Sequence, residues 1–254
     1  MIFIEKHILD VEDYTPSGEL SPLGILRIFE NVGNHHSEAS GDSLMQKLQS
    51  GISWVLLNWT IKVERFPKWA SSVHVSTWTY GNMPAVSVNR DYLICDEQGN
   101  TCVLGNAKFA LLDVLKRRPI RITSGQIDKY HPEDRQNFEP SELKPIIEPQ
   151  QYQITKTIVP RRSDIDFNKH VHNLSYFAFA QELLPVEVYS SGILTGLKIV
   201  FKKPTVSTEV LIGKLALDES EKDKITCTAG LYGEDHSLRA LVQMQSIIPV
   251  EKNN

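Results

Sequence analysis

The sequence predicts an α+β protein built from two tandem domains, each a curved antiparallel sheet wrapped around one central helix. Three observations predict this. The same order of elements (strand, helix, then four strands) runs twice along the 254 residues. Connections between successive strands are short, which pairs neighbours antiparallel. Between the two runs, Asp128 to Gln151 holds Pro132, Pro140, Pro145 and Pro149 among charged and amide side chains, with little apolar periodicity. These features place an N-terminal domain at 1–128, a linker at 129–151 and a C-terminal domain at 152–254. Another α+β sandwich could share the order, which alone does not exclude it.

In the first half, Ile2 to Asp10 alternates as a strand. Ser21-Pro22 supplies an N-cap followed by proline at the first helical position. Leu23, Leu26, Phe29 and Val32 then recur at helical spacing to about Glu38, with Gly41 as the stop. Gly24 and Gly33 weaken this helix and predict close packing against a neighbour. Asp42 to Gly51 reads as a further helical turn or a lid-like insertion. Strands follow at Trp54–Glu64, Val73–Tyr80, Val86–Cys95 and Thr101–Lys116, with turns at Phe66-Pro67, Gly81-Asn82 and Asp96–Gly99.

The second half repeats the plan. A strand at Tyr152–Val159 precedes a helix at Asn173–Leu184, which ends before Pro185. Strands are expected at Ile193–Lys202, Val210–Leu217, Lys224–Gly233 and Leu238–Ile248. Pro67 stands six residues before Val73 and Pro204 six before Val210, a local match that fits duplication. A helix after the first strand and then a long meander is the hotdog arrangement, and two copies make a double hotdog.

Composition excludes several classes. A 41% hydrophobic and 23% charged chain is ordinary for a globular protein and speaks against disorder. A net charge of −4 gives no global attraction to nucleic acid. Cys95, Cys102 and Cys227 are scattered and odd in number, which suits a reducing cytoplasm. The charged start does not read as a secretory leader, and no apolar run is long enough for a membrane span. No G-x-S-x-G motif points to a serine hydrolase.

The chemistry concentrates in Pro160 to Pro185. Asp164, Asp166, Asn168, His170 and His172 fall within nine residues, directly before a helix apolar on most of its circumference. Such a helix is buried, and its N-terminus offers unpaired N–H groups and the positive dipole end to developing negative charge. Hydrolysis at an acyl carbon needs a water, a group to take its proton, and donors for the oxygen that gains charge. Asp166 can orient His170 or take a proton, and His170 can act as base and then as acid. Asn168 can hold the water or brace the loop. The N–H groups of Val171, His172 and Asn173 can hold the oxyanion. In the structural alternative, Asp166 and Asn168 merely cap the helix. Asp166, His170 and His172 lack a further ligand for a metal, so neither metal nor cofactor is called for. His35-His36 reads as a satisfied surface or interdomain pair, and Cys227 as core.

Arg161-Arg162-Ser163-Asp164-Ile165-Asp166-Phe167-Asn168-Lys169-His170-Val171-His172-Asn173 resembles the signature of acyl-acyl-carrier-protein thioesterases, and Glu182-Leu183-Leu184-Pro185 continues the likeness. Trp54–Leu57, Phe66-Pro67-Lys68-Trp69, Thr77-Trp78 and Asn89–Tyr92 are similar to that family's N-terminal domain. The resemblance implies the double hotdog, an acyl-chain pocket in the first domain, and hydrolysis of fatty acyl thioesters on acyl carrier protein by Asp166, Asn168 and His170. It departs at Lys202-Lys203-Pro204-Thr205, where the family carries an acidic residue and cysteine; Thr205 stands in the cysteine's place and is assigned to the substrate site. Acyl carrier proteins are acidic, so Lys116, Arg117 and Arg118 (with Arg121), Arg161-Arg162, and Lys202 with Lys203 are expected at a docking rim, each cluster having a solvated strand end as its alternative. An acyl-CoA thioesterase and a non-catalytic acyl-thioester sensor remain as alternatives, and a homodimer stays open.

Overall fold

The computed structural model describes residues 1–15, 18–67, 71–80, 86–116, 118–206 and 209–248, without the side chains of Leu44 and Leu48. The turn expected at Gly81-Asn82, the Lys68-Trp69 pair and Arg117 lie outside the described residues. The chain divides into compact units at Met1–Lys144 and Pro145–Asn254.

The first unit contains β1 (Phe3–Ile8), α1 (Pro22–Ala39), α2 (Leu44–Ser50), β2 (Ile52–Val63), β3 (Ser72–Tyr80), β4 (Val88–Cys95), β5 (Thr101–Asp113), β6 (Arg118–Ile120) and α3 (Ser124–Ile127). Its strands pair antiparallel in the order β1-β3-β4-β5-β2, with β6 on β5. The second unit contains β7 (Ile154–Ile158), α4 (Asn173–Gln181), α5 (Val186–Ser191), β8 (Ile193–Phe201), β9 (Leu211–Asp218), β10 (Lys224–Tyr232) and β11 (Leu238–Ile247). Its order is β7-β9-β10-β11-β8. Numbered within each unit, both orders are 1-3-4-5-2. Pro67 and Pro204 fall in the same connection, between the second and third strands. Each unit is a hotdog.

Helix α1 begins where Ser21 accepts the Gly24 N–H at 2.9 Å. Its apolar face carries Ile25, Leu26, Phe29 and Val32, all buried. Phe29 packs its ring at 4.9 Å from Tyr92 on β4 and 6.0 Å from Trp59 on β2. Gly24 and Gly33 admit the Asp13 backbone and the Tyr92 hydroxyl, where a Cβ would come within 2.7 and 2.6 Å. On β5, Gly105 faces the Phe29 ring just as closely. His36 is not part of a satisfied pair. It is fully buried, stacked 5.3 Å from Phe3 and edge-on to Tyr130, and neither ring nitrogen finds a partner among the described residues. Burial, with Arg90 nearby, lowers its pKa to about 3, so the ring is neutral.

The stretch expected as a linker divides between the units. Trp78 Nε1 donates to the Arg135 carbonyl at 2.8 Å, the Asn137 N–H donates to Asp91 at 2.5 Å, and Phe138 is buried, so 131–138 lies against the first unit. Tyr232 donates to Glu148 at 2.5 Å on the second. These ties are single and aperiodic, so hydrophobic periodicity could not reveal them.

Helix α4 ends at Gln181 rather than Leu184. The last turn tightens, with Leu183 N–H on the Ala180 carbonyl and Leu184 N–H on that of Gln181, and Lys156 Nζ caps the Glu182 carbonyl at 2.6 Å. Pro185, read only as a stop, also stands as the N-cap residue of α5. Tyr176, Phe177, Phe179 and Ala180 are buried, and α4 packs against β9, β10 and β11.

Two outcomes test this packing. Gly105→Ala drives a methyl into a ring already held by Trp59 and Tyr92, so chemical denaturation should show a loss of about 1–3 kcal/mol. Burial raises Asp91 to about 6, against hydrogen bonds from Asn106 and Asn137 that lower it. The folded state therefore holds this proton more tightly than the unfolded chain. That contribution to stability is present below about pH 4 and is lost as pH rises through 6. Relative to Asp91→Asn, the parent should lose about 3 kcal/mol across that window, read from urea midpoints at each pH.

Candidate active site

The motif folds into a tight hairpin ahead of α4. Ile165 and Val171 form an antiparallel bridge, the Asp166 N–H donates to the His170 carbonyl at 2.8 Å, and the Lys169 N–H donates to the Asp166 carbonyl at 3.0 Å. Lys169 takes the left-handed conformation (φ 64°) that closes such a turn. Asp166 Oδ1 accepts the backbone N–H groups of Asn168 (2.8 Å) and His170 (3.1 Å), and Oδ2 meets only Asn168 Nδ2 at 3.4 Å. The carboxylate thus braces the loop with one oxygen and leaves the other lightly engaged. It holds the backbone of His170, not the imidazole; among the described residues that ring makes no hydrogen bond. Asn168 is exposed, while Asp166 and His170 are half-buried.

Asp164, which sequence reading left without a role, anchors the hairpin. It is buried, and its carboxylate accepts the Arg161 N–H (2.7 Å), Nε (3.2 Å) and a terminal guanidinium nitrogen (2.9 Å). Its carbonyl accepts the His172 N–H at 2.8 Å. The RRSD spacing, an acid three residues after Arg161, was the signal available.

The oxyanion donors need correcting. The Val171 N–H is engaged by the Thr205 carbonyl at 2.9 Å and that of His172 by Asp164. The Ser175 N–H returns to the His172 carbonyl at 2.9 Å. Among the described residues, the N–H groups of Asn173 and Leu174 are left unpaired at the first turn of α4, where helix geometry provides no partner. Of the residues expected to hold an oxyanion, only Asn173 keeps an open N–H among the described residues, as does its neighbour Leu174.

Thr205 also moves. It is fully buried, its N–H donates to the Tyr176 hydroxyl at 3.0 Å, and its own hydroxyl finds no hydrogen-bond partner among the described residues. The side chain is thus shut away from water beneath the loop, and Thr205 acts through its backbone. Tyr176 escaped notice because one hydroxyl inside an apolar run leaves no periodic trace. Cys227 is buried, and burial pushes its thiol up to about 11, which suits a core residue.

The basic residues separate by partner. Lys203 is paired with Asp235 at 2.7 Å, Arg161 with Asp164, and Lys116 loosely with Asp113 at 3.7 Å. Arg162, Lys169 and Lys202 are exposed and without ion pairs among the described residues. No cluster of His, Cys, Asp or Glu among those residues is arranged to hold a metal. No helix is long and apolar enough to cross a membrane.

A brace of Asp166 and Asn168 beside His170, set at the N-terminus of a helix buried in the second of two hotdogs, defines a class of tandem-hotdog protein. The acyl-ACP thioesterase N-terminal-domain model matches residues 2–130 and the C-terminal-domain model 147–242. A chloroplastic acyl-[acyl-carrier-protein] hydrolase of Cuphea viscosissima is 24% identical over 217 residues, covering 78% of this chain and 50% of that protein. A chloroplastic oleoyl-acyl carrier protein thioesterase of Arabidopsis thaliana is 25% identical, covering 82% and 58%. The chain therefore spans little more than half the length of these relatives. The structure of the 12:0-ACP thioesterase from Umbellularia californica superposes with a TM-score of 0.87 at 18% identity, covering 98% of both chains. An acyl-ACP thioesterase from Bacteroides thetaiotaomicron gives 0.80 at 17%, covering 96% of this chain and 97% of that one. The chain belongs to the acyl-ACP thioesterase family.

Tyr176→Phe tests the support under the loop. It strands the buried Thr205 N–H without an acceptor, so urea unfolding should show a loss of about 1–3 kcal/mol, larger than for Tyr189→Phe on the exposed face of α5.

Proposed function

We propose that the protein hydrolyses fatty acyl thioesters carried on acyl carrier protein, releasing free fatty acid and ending chain synthesis. One observation carries the reading: a half-buried imidazole with no hydrogen bond among the described residues stands on a braced loop, three residues before the first of two N–H groups left unpaired among those residues at the start of α4. Family membership and the names of the relatives support the substrate class. The cysteines stand free in the structure, which fits a cytoplasmic location.

In this mechanism the lightly engaged Asp166 oxygen accepts one hydrogen bond from a water and the Asn168 side-chain amide donates to the water oxygen, which leaves the second proton of the water to face His170. His170 takes one proton as the water oxygen bonds to the thioester carbon. The carbonyl oxygen becomes an oxyanion held by the N–H groups of Asn173 and Leu174. The C–S bond then breaks, the thiolate sulfur takes the proton from His170, and the acid leaves. Fatty acid and carrier thiol together account for every atom of water and thioester. No metal or cofactor enters this scheme.

His170→Ala and Asp166→Asn should each lower kcat by roughly two to four orders of magnitude while thermal melts show the fold intact. Asn168→Ala should fall between these variants and the parent, because Asn168 carries neither the transferred proton nor the charge that orients the water. Near-normal kcat in His170→Ala would remove it from the site and leave the loop as a helix brace.

Docking of the acidic carrier is proposed at the basic residues, Lys116, Arg117 and Arg118 on the first unit and Lys202 with Arg162 and Lys169 on the second. Lys203, held by Asp235, contributes less. Alanine at Arg162, Lys169 and Lys202 should raise KM for carrier-bound substrate more than for a CoA thioester of the same chain length, and flatten the salt dependence. Alanine at Lys116, Arg117 and Arg118 is measured beside it. A set that weakens both substrates equally is structural. Pro204, in place of an acid, favours a second reading as an acyl-thioester sensor. Binding of acyl carrier without turnover by the purified protein would establish it.

A further inference from the structure

We infer that Arg239 and Glu209 are positioning residues for this reaction, a clamp that sets where the His170 loop sits; the inference rests on the function proposed above. The far side of the loop leans on one short stretch of chain. His170 bridges Val206, and the Val171 N–H donates to the Thr205 carbonyl at 2.9 Å. That stretch lies between β8 and β9, and both ends are tied to a single residue of β11. The Arg239 carbonyl accepts the N–H groups of Lys202 (2.8 Å) and Lys203 (3.3 Å). The Arg239 guanidinium pairs with the Glu209 carboxylate, and the Glu209 N–H returns to the Val206 carbonyl at 3.1 Å. A chain of contacts thus runs from Arg239 through Glu209, Val206 and Thr205 to His170 and Val171.

The pair sits in a built setting. The Arg239 side chain is 4% exposed, and a second carboxylate, Asp235, lies 3.1 Å from it. A Cβ on Gly233 would collide with both Glu209 and Arg239, so the glycine leaves the space in which they meet. Two of the guanidinium nitrogens, Nε and Nη1, have no hydrogen-bond partner among the described residues. A buried ion pair with unmatched donors is a poor source of stability, since apolar replacements of similar size are often neutral or better. Geometry is what such a pair can supply. Glu209 also lies five residues after Pro204, where the family carries its acid, and invites reading as a substitute base. Its carboxylate is turned to Arg239, which assigns it to the clamp.

Three variants test this: Glu209→Gln, Arg239→Met and the doubly apolar Glu209→Met/Arg239→Met. Each should lower kcat about ten- to a hundredfold, the range that a small misplacement of a reacting group produces, with KM nearly unchanged. The double variant should cost no more than either single one, because both members serve one contact. The pH–rate profile should keep its shape. If Glu209 were a base, Glu209→Gln would remove the acid limb while Arg239→Met left it, and the clamp would be overturned. Hydrogen exchange at the Val171 amide reads the clamp without any turnover: it should quicken at least tenfold in the double variant while the amides of α4 keep their protection. Unchanged exchange at Val171, or kcat within twofold of the parent, overturns the inference. If the parent hydrolyses no thioester, the functional reading fails and the exchange result alone decides whether the clamp exists. Should a single variant unfold, the apolar double variant carries the measurement.

Discussion

A helix that is apolar around most of its surface has no side to offer to water, and the second unit is organised by that constraint. Alanine, leucine and aromatic side chains of α4 must all be covered, and a curved sheet is what covers them. The sheet order 1-3-4-5-2 achieves the cover twice, because α1 in the first unit poses a similar problem with Leu26, Phe29 and Val32. Burying a helix this way also leaves a half-buried N-terminus with four N–H groups that helical geometry cannot pair. Site and fold therefore share one cause.

What the protein does with those donors is selective. Asp164, Asp166 and Thr205 together engage backbone N–H groups at Arg161, Asn168, His170, Val171 and His172. Those bonds hold the hairpin, and among the described residues they leave the N–H groups of Asn173 and Leu174 open. The capping interpretation of Asp166 and the catalytic one are therefore not rivals. One oxygen of the carboxylate braces the loop while the other faces a single long contact, so the same residue can hold geometry and meet a water. A carboxylate that accepts several backbone donors is also a rigid one, and preorganisation is where electrostatic catalysis draws its strength.

The departure from the family pattern at Pro204-Thr205 gains a physical meaning in this setting. Pro204 has no N–H and no acid, and Thr205 is buried, so this segment supports the loop through its backbone rather than contributing a reactive side chain. Support of that kind has to be anchored, and the anchor is the buried Arg239 with its Glu209 partner. In the same segment the charge of Lys203 is matched by Asp235, whose carboxyl is in turn held below the usual range by Lys203, while Lys202 stays exposed.

The sequence by itself determined the elements and their duplication, because period-2 and period-3.6 patterns, a capping Ser21-Pro22 and short turns are local properties. It also determined the location of the candidate site, since the polar cluster and the apolar helix that follows are contiguous from Asp164 to Leu184. The tertiary structure decided which donors stay free, which cations keep their charge to the outside, and where His36, Thr205 and Phe138 are buried. It decided as well that the proline-rich stretch belongs in part to the first unit. These outcomes depend on partners far apart in the chain, such as Tyr176 with Thr205, Asp91 with Asn137 and Arg239 with Glu209. A hydrogen bond between distant residues leaves no periodic trace in the sequence, and it exists only once packing has brought both ends together.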